Sequence, residues 1–210
     1  METYDHYLSL GANCESGFQF RRVLGGDQSN FFNWNVTPLR SLNALLSADF
    51  SGICDIDELI YEGNGTLVRD RRYNYQFHWV GDNIESLGNG KEVYEANRSR
   101  LLYLASKFRA TVASGSSVAF FYTLNGESDV DQFKVTQTIL REKFHCRNFS
   151  IIIITDGAVD ISDSQISPGL FVRRTKRFAP WSDATDGHVS SWDAIFREFP
   201  ATAGVRLSGY

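Results

Sequence analysis

Two kinds of apolar pattern alternate along the chain. Residues 117–124 (SVAFFYTL) and 149–155 (FSIIIIT) are apolar with no regular polar interruption, and residues 4–10 form a shorter run closed by Gly11. Between them lie stripes that repeat every three or four positions. Phe18, Val23 and Leu24 fall near this spacing within residues 14–24, as do Leu39, Leu42, Leu45 and Leu46 after Thr37-Pro38. Val93, Leu101, Leu104, Ala105, Phe108 and Val112 mark a long helix over 92–112, and residues 130–144 and 190–199 carry further stripes. Unbroken runs predict strands covered on both faces, and stripes predict the helices that cover them. Their alternation predicts an α/β fold, a three-layer sandwich around a mainly parallel central sheet, in a single domain over 1–210.

The ends of these elements are marked by their own chemistry. Gly11 closes the first strand and Gly25-Gly26 ends the first helix. Thr37-Pro38 predicts a threonine cap with proline at the first helical position. Residues 51–90 fit neither pattern, with Gly63-Asn64-Gly65 and Gly88-Asn89-Gly90 flanking an alternating stretch over 67–80 that reads as a hairpin or an ordered loop. An irregular insertion of that length marks function or substrate cover. Residues 170–178 add a further strand.

Composition narrows the class. With 21 basic and 25 acidic residues in 210, a net charge of -4 and 14 % aromatic residues, the chain is neither disordered nor a dedicated nucleic-acid binder. The three cysteines, Cys14, Cys54 and Cys146, have no zinc-type spacing and no even pairing, which predicts free thiols, no metal and a cytoplasmic setting. The first residues are acidic where a signal peptide is basic, and no apolar run reaches the roughly 18 residues of a membrane span, so neither export by that route nor a membrane span is expected.

In a parallel sheet, ligands bind beyond the carboxyl ends of the strands. The segments to weigh are therefore Gly11-Ala12-Asn13-Cys14, Asn125-Gly126-Glu127, Asp156-Gly157 and residues 180–188. Cys14 stands where a glycine turn meets a helix N-terminus, a place that lowers a thiol pKa and holds an oxyanion, and it is the candidate nucleophile. A lone cysteine there also simply packs. Of four histidines, His188 has Asp183 and Asp186 close by in sequence and is preferred as the base; His78, among the aromatic residues Phe77 and Trp79, is the alternative. Backbone N–H groups at Gly11 and Cys14, with Asn125, would bind the oxyanion, although Asn125-Gly126 also reads as a plain turn. Arg173, Arg174, Lys176 and Arg177 form the one basic cluster, in a chain with 16 arginines and 5 lysines, and suit an anionic ligand or a solvated face equally.

Ser9-Leu10-Gly11-Ala12-Asn13-Cys14, then Phe20-Arg21-Arg22, then Ser29-Asn30-Phe31-Phe32-Asn33-Trp34 resembles the motif series of a bacterial family of papain-like cysteine peptidases, Ser-Leu-Gly-x-x-Cys followed by Ser-x-Pro-Phe-Asp-Trp. Phe31 replaces the motif's proline and Asn33 its aspartate. The resemblance implies a cysteine-dependent acyl site at Cys14 with a histidine partner, and brings Asn13, Asn33 and Trp34 into the expected substrate contacts. Papain-type order runs Cys, His, Asn, yet no asparagine follows His188. The order Cys14, Asp183 or Asp186, His188 is instead similar to flavodoxin-like esterases, and Asn13-Cys14 to capsule-polysaccharide acetyltransferases, which bind coenzyme A. That similarity implies acyl transfer or hydrolysis on a saccharide or glycan precursor, with a coenzyme A thioester as a possible donor met by Arg173, Arg174 and Arg177. A papain-like peptidase and a non-catalytic glycan- or nucleotide-binding module are the alternatives.

Overall fold

The computed structural model describes residues 2–26, 29–82, 84–87, 91–124, 131–156 and 163–207. In chain order the elements are β1 (His6–Ser9), α1 (Glu15–Leu24), β2 (Asn35–Val36), α2 (Leu39–Ser47), β3 (Leu59–Tyr61), β4 (Leu67–Asp70) and β5 (Tyr75–His78), then α3 (Lys91–Val112), β6 (Val118–Leu124), α4 (Gln132–Glu142), β7 (Phe149–Thr155), β8 (Ser164–Ser167), β9 (Leu170–Arg174) and α5 (Val189–Glu198). They form two sheets. The larger runs β1-β6-β7-β9-β8, parallel except for β8, which returns antiparallel along the edge. The smaller runs β2-β5-β4-β3 and is antiparallel throughout.

The unbroken apolar runs have the cause expected of them. Alternate residues of β6 and β7 enter different cores: Phe121, Ile152 and Ile154 meet Phe20 of α1 and Trp192 and Phe196 of α5. Phe120, Tyr122, Ile151 and Ile153 meet α2, α3 and α4 through Leu42, Phe108 and Phe133. Since successive strand residues point to opposite faces, a strand buried on both has no position to give to a polar side chain. Each fully buried ring adds on the order of 2 to 3 kcal/mol. No helix among the described residues is long and apolar enough to cross a membrane.

The insertion over 51–90 supplies three strands of the second sheet, and β4 and β5 form the hairpin that is one of the two expectations for 67–80. Tyr75 and Phe77 of β5, with Trp79 just beyond, are buried and join the core shared with α2, α3 and α4, so these rings serve packing. Thr37 does not cap α2. Pro38 occupies the cap position, and the buried Thr37 hydroxyl has no hydrogen-bond partner among the described residues. The Thr37 carbonyl instead accepts the Ala12 N–H at 3.1 Å, tying the start of α2 to the turn after β1.

Candidate functional site

The turn after β1 is built to present Cys14. Gly11 has a φ of +106°, and a Cβ there would stand 2.7 Å from the Thr37 Cβ, so only glycine passes. Ala12 follows with a φ of +67°, a strained conformation for a residue with a side chain. Asn13 then performs the capping that Cys14 does not. Its Oδ1 accepts the Glu15 N–H at 3.0 Å and the Thr123 hydroxyl at 3.1 Å, locking the helix start to the carboxyl end of β6. Cys14 holds the N-cap position of α1 with no side-chain cap bond, leaving the thiol uncommitted and half-buried. Burial pushes its pKa up to about 11, and no neighbouring cation offsets the rise. Cys54 and Cys146 are also free, but fully buried.

Cys14 lines a cavity of about 680 Å³ together with Asn13, Phe18, Trp34, His78 and Asp183. His78 reaches it from the last position of β5, where the alternation that buries Tyr75 and Phe77 turns residues 76 and 78 outward. Its Nδ1 pairs with the Thr66 hydroxyl at 2.7 Å, which fixes the ring and leaves Nε2. Enclosure by the cavity and the Arg100 guanidinium lower the pKa of this imidazole. The strand end is held from α3, by Arg100 donating to the His78 carbonyl at 2.5 Å and by Asn97 pairing both backbone groups of Val80 at 3.0 and 2.8 Å. Trp34 is equally fixed: its indole N–H donates to Ser29 at 2.9 Å, the Phe18 ring meets it edge-on at 5.0 Å, and Arg21 lies over it at 4.7 Å.

Glu15 went unnoticed in the sequence, and it is central. Its side chain is fully buried, with Oε1 accepting the Trp192 indole N–H at 2.8 Å and Oε2 the Ala179 N–H at 2.9 Å. Burial raises its pKa, while these two bonds favour the charge. Through them the residue beside Cys14 anchors the strap over 179–188, and a Cβ on Gly187 would come within 2.5 Å of Glu15 Oε1. The strap carries Asp183 and the exposed Trp181 to the cavity. A glutamate in a first helical turn ordinarily faces water and the helix dipole, so nothing in the sequence marked this one.

His188 stands elsewhere. It is the N-cap of α5, its Nδ1 accepting the Ser191 N–H at 3.3 Å and meeting the Ser191 hydroxyl at 2.8 Å. It lines a separate recess of about 300 Å³ with Arg173 and Arg174, away from the Cys14 cavity. Contrary to the sequence expectation, the structure does not bring His188 to Cys14: His188 caps α5 through Nδ1, and the histidine that lines the Cys14 cavity is His78. Asp186 pairs with Arg177 at 2.9 Å. Arg173 pairs with Glu198 and lies over Phe171 and Phe199, and the backbone N–H of Arg174 donates to Asp163 at 2.8 Å. None of these three arginines lines the Cys14 cavity. The Gly11 N–H, expected at an oxyanion, donates to Ser9 Oγ at 3.0 Å. Asn33 is buried behind the cavity, its Oδ1 accepting the Ser9 N–H at 3.1 Å and the Asn30 amide at 2.6 Å. A carboxylate would accept the same two bonds, so asparagine preserves this tie. Asn125 lies outside the described residues.

Comparison of the chain with family models, curated proteins and solved structures finds no match. What the site can do must be judged from its own chemistry. A thiol at a helix start, an imidazole fixed by a hydroxyl, aromatic walls and a carboxylate at the mouth are the parts available.

Proposed function

We propose that Cys14 is the nucleophile of an acyl-transfer or acyl-hydrolysis reaction and that His78 is its base. One observation carries the reading: the uncommitted thiol at the carboxyl end of the parallel sheet and the fixed imidazole of β5 line the same cavity. Sγ would attack the acyl carbonyl carbon as its proton passes to His78 and the carbonyl electron pair moves onto oxygen. Collapse re-forms the carbonyl, and the leaving group departs with the proton from His78. A hydroxyl acceptor or water then attacks the thioester with the same imidazole as base, returning Cys14 to the thiol. The Cys14 backbone N–H, at the start of α1 in the cavity lining, is the oxyanion donor within this reading.

The thiol's state distinguishes this chemistry from a resting thiolate–imidazolium pair. Burial keeps the Cys14 thiol protonated at neutral pH, so in this reading proton removal accompanies attack. A lowered imidazole pKa suits that task, since it keeps His78 neutral and able to accept. This favours an esterase or acyltransferase over a papain-like peptidase. The cavity's neutral polar lining beside Trp34 and Trp181 supports a saccharide acceptor. Helices on both faces of the larger sheet support a three-layer sandwich of the esterase type, although β1 stands at the sheet edge and not inside it as in the flavodoxin order. Three free thiols support a cytoplasmic setting.

The raised Cys14 pKa favours a second reading, in which the cavity binds a glycan and performs no chemistry. Incubation with p-nitrophenyl acetate, acetyl-coenzyme A or casein separates them. Acetyl carried on Cys14, found by peptide mass and lost in Cys14→Ala, is expected of the enzyme. Absence of an acylated Cys14 with all three, together with saccharide binding that survives Cys14→Ala, leaves the binding module.

A further inference from the structure

The charge around the cavity restricts what can enter it. All 21 lysines and arginines fall among the described residues, because residues 1, 27–28, 83, 88–90, 125–130, 157–162 and 208–210 contain none. Not one of the 21 lines the Cys14 cavity. Arg21 lies over the Trp34 ring and Arg100 donates to the His78 carbonyl, and neither lines the cavity. Arg177, just before the strap, is paired with Asp186, and its remaining influence falls on the carboxyl of Glu15.

The acidic side is not balanced in this way. Asp183 is exposed at the mouth, where the Thr185 backbone N–H and hydroxyl donate to one oxygen at 3.0 and 2.5 Å. Those bonds hold its carboxyl below the usual range, so it is charged at neutral pH. Glu15, next to Cys14 in the chain, is a second carboxyl in the lining. The remaining surface is aromatic, aliphatic or neutral and polar, as at Trp34, Trp181, Leu67 and Asn64, together with the His78 imidazole, whose lowered pKa keeps it uncharged. An incoming phosphate or carboxylate would lose water, gain no lysine or arginine and face Asp183, with only the backbone dipole at the start of α1 to offset the loss.

We propose that the Cys14 cavity excludes anions, so that the part of the acyl donor entering it carries neither phosphate nor carboxylate. The donor is then an uncharged ester or thioester, and a coenzyme A thioester, which carries its phosphates toward Asp183, is a poorer one. The word donor rests on the acyl-transfer reading above; the charge selectivity does not.

Two alkylating agents of similar size, iodoacetamide and iodoacetate, test the selectivity without any turnover. Each forms a thioether as the Cys14 thiolate displaces iodide, and peptide mapping separates Cys14 from the buried Cys54 and Cys146. At pH 9 and low salt, the rate ratio of iodoacetamide to iodoacetate at Cys14 should exceed that at N-acetylcysteine amide by about three- to tenfold. Added salt should shrink the excess, and Asp183→Asn, which keeps an acceptor for Thr185, should bring the ratio toward the reference. A ratio at Cys14 equal to or below the reference overturns the proposal. Acetyl-N-acetylcysteamine and acetyl-coenzyme A, which share the reacting thioester, then address the donor: the uncharged one should acylate Cys14 at least about tenfold faster, and equal rates overturn it. If neither acylates Cys14 while the alkylation ratio stays high, the acyl-transfer reading fails and the anion exclusion stands.

Discussion

His78 and His188 each pair Nδ1 with a hydroxyl within 2.8 Å, and there the likeness ends. At His188 the hydroxyl belongs to Ser191 of its own helix, whose backbone N–H also donates to the ring, so the imidazole completes a helix end. At His78 the hydroxyl comes from Thr66 on the neighbouring strand side, twelve residues away, and the ring faces a cavity that holds a thiol. Proximity to acids in sequence favoured the first; what the ring nitrogens do favours the second. A histidine is read best by the partner its Nδ1 has already taken.

The contrast can be broken most severely at the base itself. His78→Ala is expected to lower acyl turnover by about 10² to 10⁴, and His188→Ala to change it by less than about threefold. A reversed result, from initial rates on a neutral ester, would return the role to His188. Almost as large is the pH effect on the thiol. Because burial disfavours the charged form, thiolate appears only as pH climbs, and iodoacetamide labelling of Cys14 should rise about tenfold per pH unit from 7, flattening near 11. A plateau below pH 8 would show that a cation or ion pair stabilises the thiolate after all.

Stability changes come next. Glu15→Ala strands the Trp192 and Ala179 donors and should cost about 2 to 5 kcal/mol in urea unfolding. Its carboxyl has a pKa raised in the folded state, so the protonated form favours folding; that contribution is present below the unfolded value and is lost as pH rises through the folded one. Glu15→Gln should therefore flatten the fall in stability on raising the pH through the carboxylate range. The smallest effect is on the helix cap: His188→Ala should cost about 0.5 to 2 kcal/mol, visible as a lower unfolding midpoint with Cys14 labelling unchanged. A loss of labelling would link the two recesses.

The parts of the fold that were legible are those whose residues have one environment. β7 (FSIIIIT) is buried at every position and matches its predicted span, and the stripe of α3 is as plain. β8 (SQIS) was not legible, because it lies on a sheet edge, half-exposed, with little apolar area to report its strand character. The turn at Cys14 could be read because Gly11 and the helix start are local. His78 was partly legible: the alternation Tyr75, Gln76, Phe77, His78, Trp79 separates an inner face from an outer one, and the outer one carries the histidine. Glu15 was not, since its burial depends on a strap and a helix far along the chain.

That distance orders events in time. Glu15 and Trp192 are separated by 177 residues, so the bond between them closes a loop spanning most of the chain. A ribosome has nearly finished its work before the indole that anchors Glu15 is available. Until then the thiol sits on a turn whose wall is missing, and a nascent chain stalled before α5 should offer Cys14 to solvent and to alkylating agents more freely than the finished protein does.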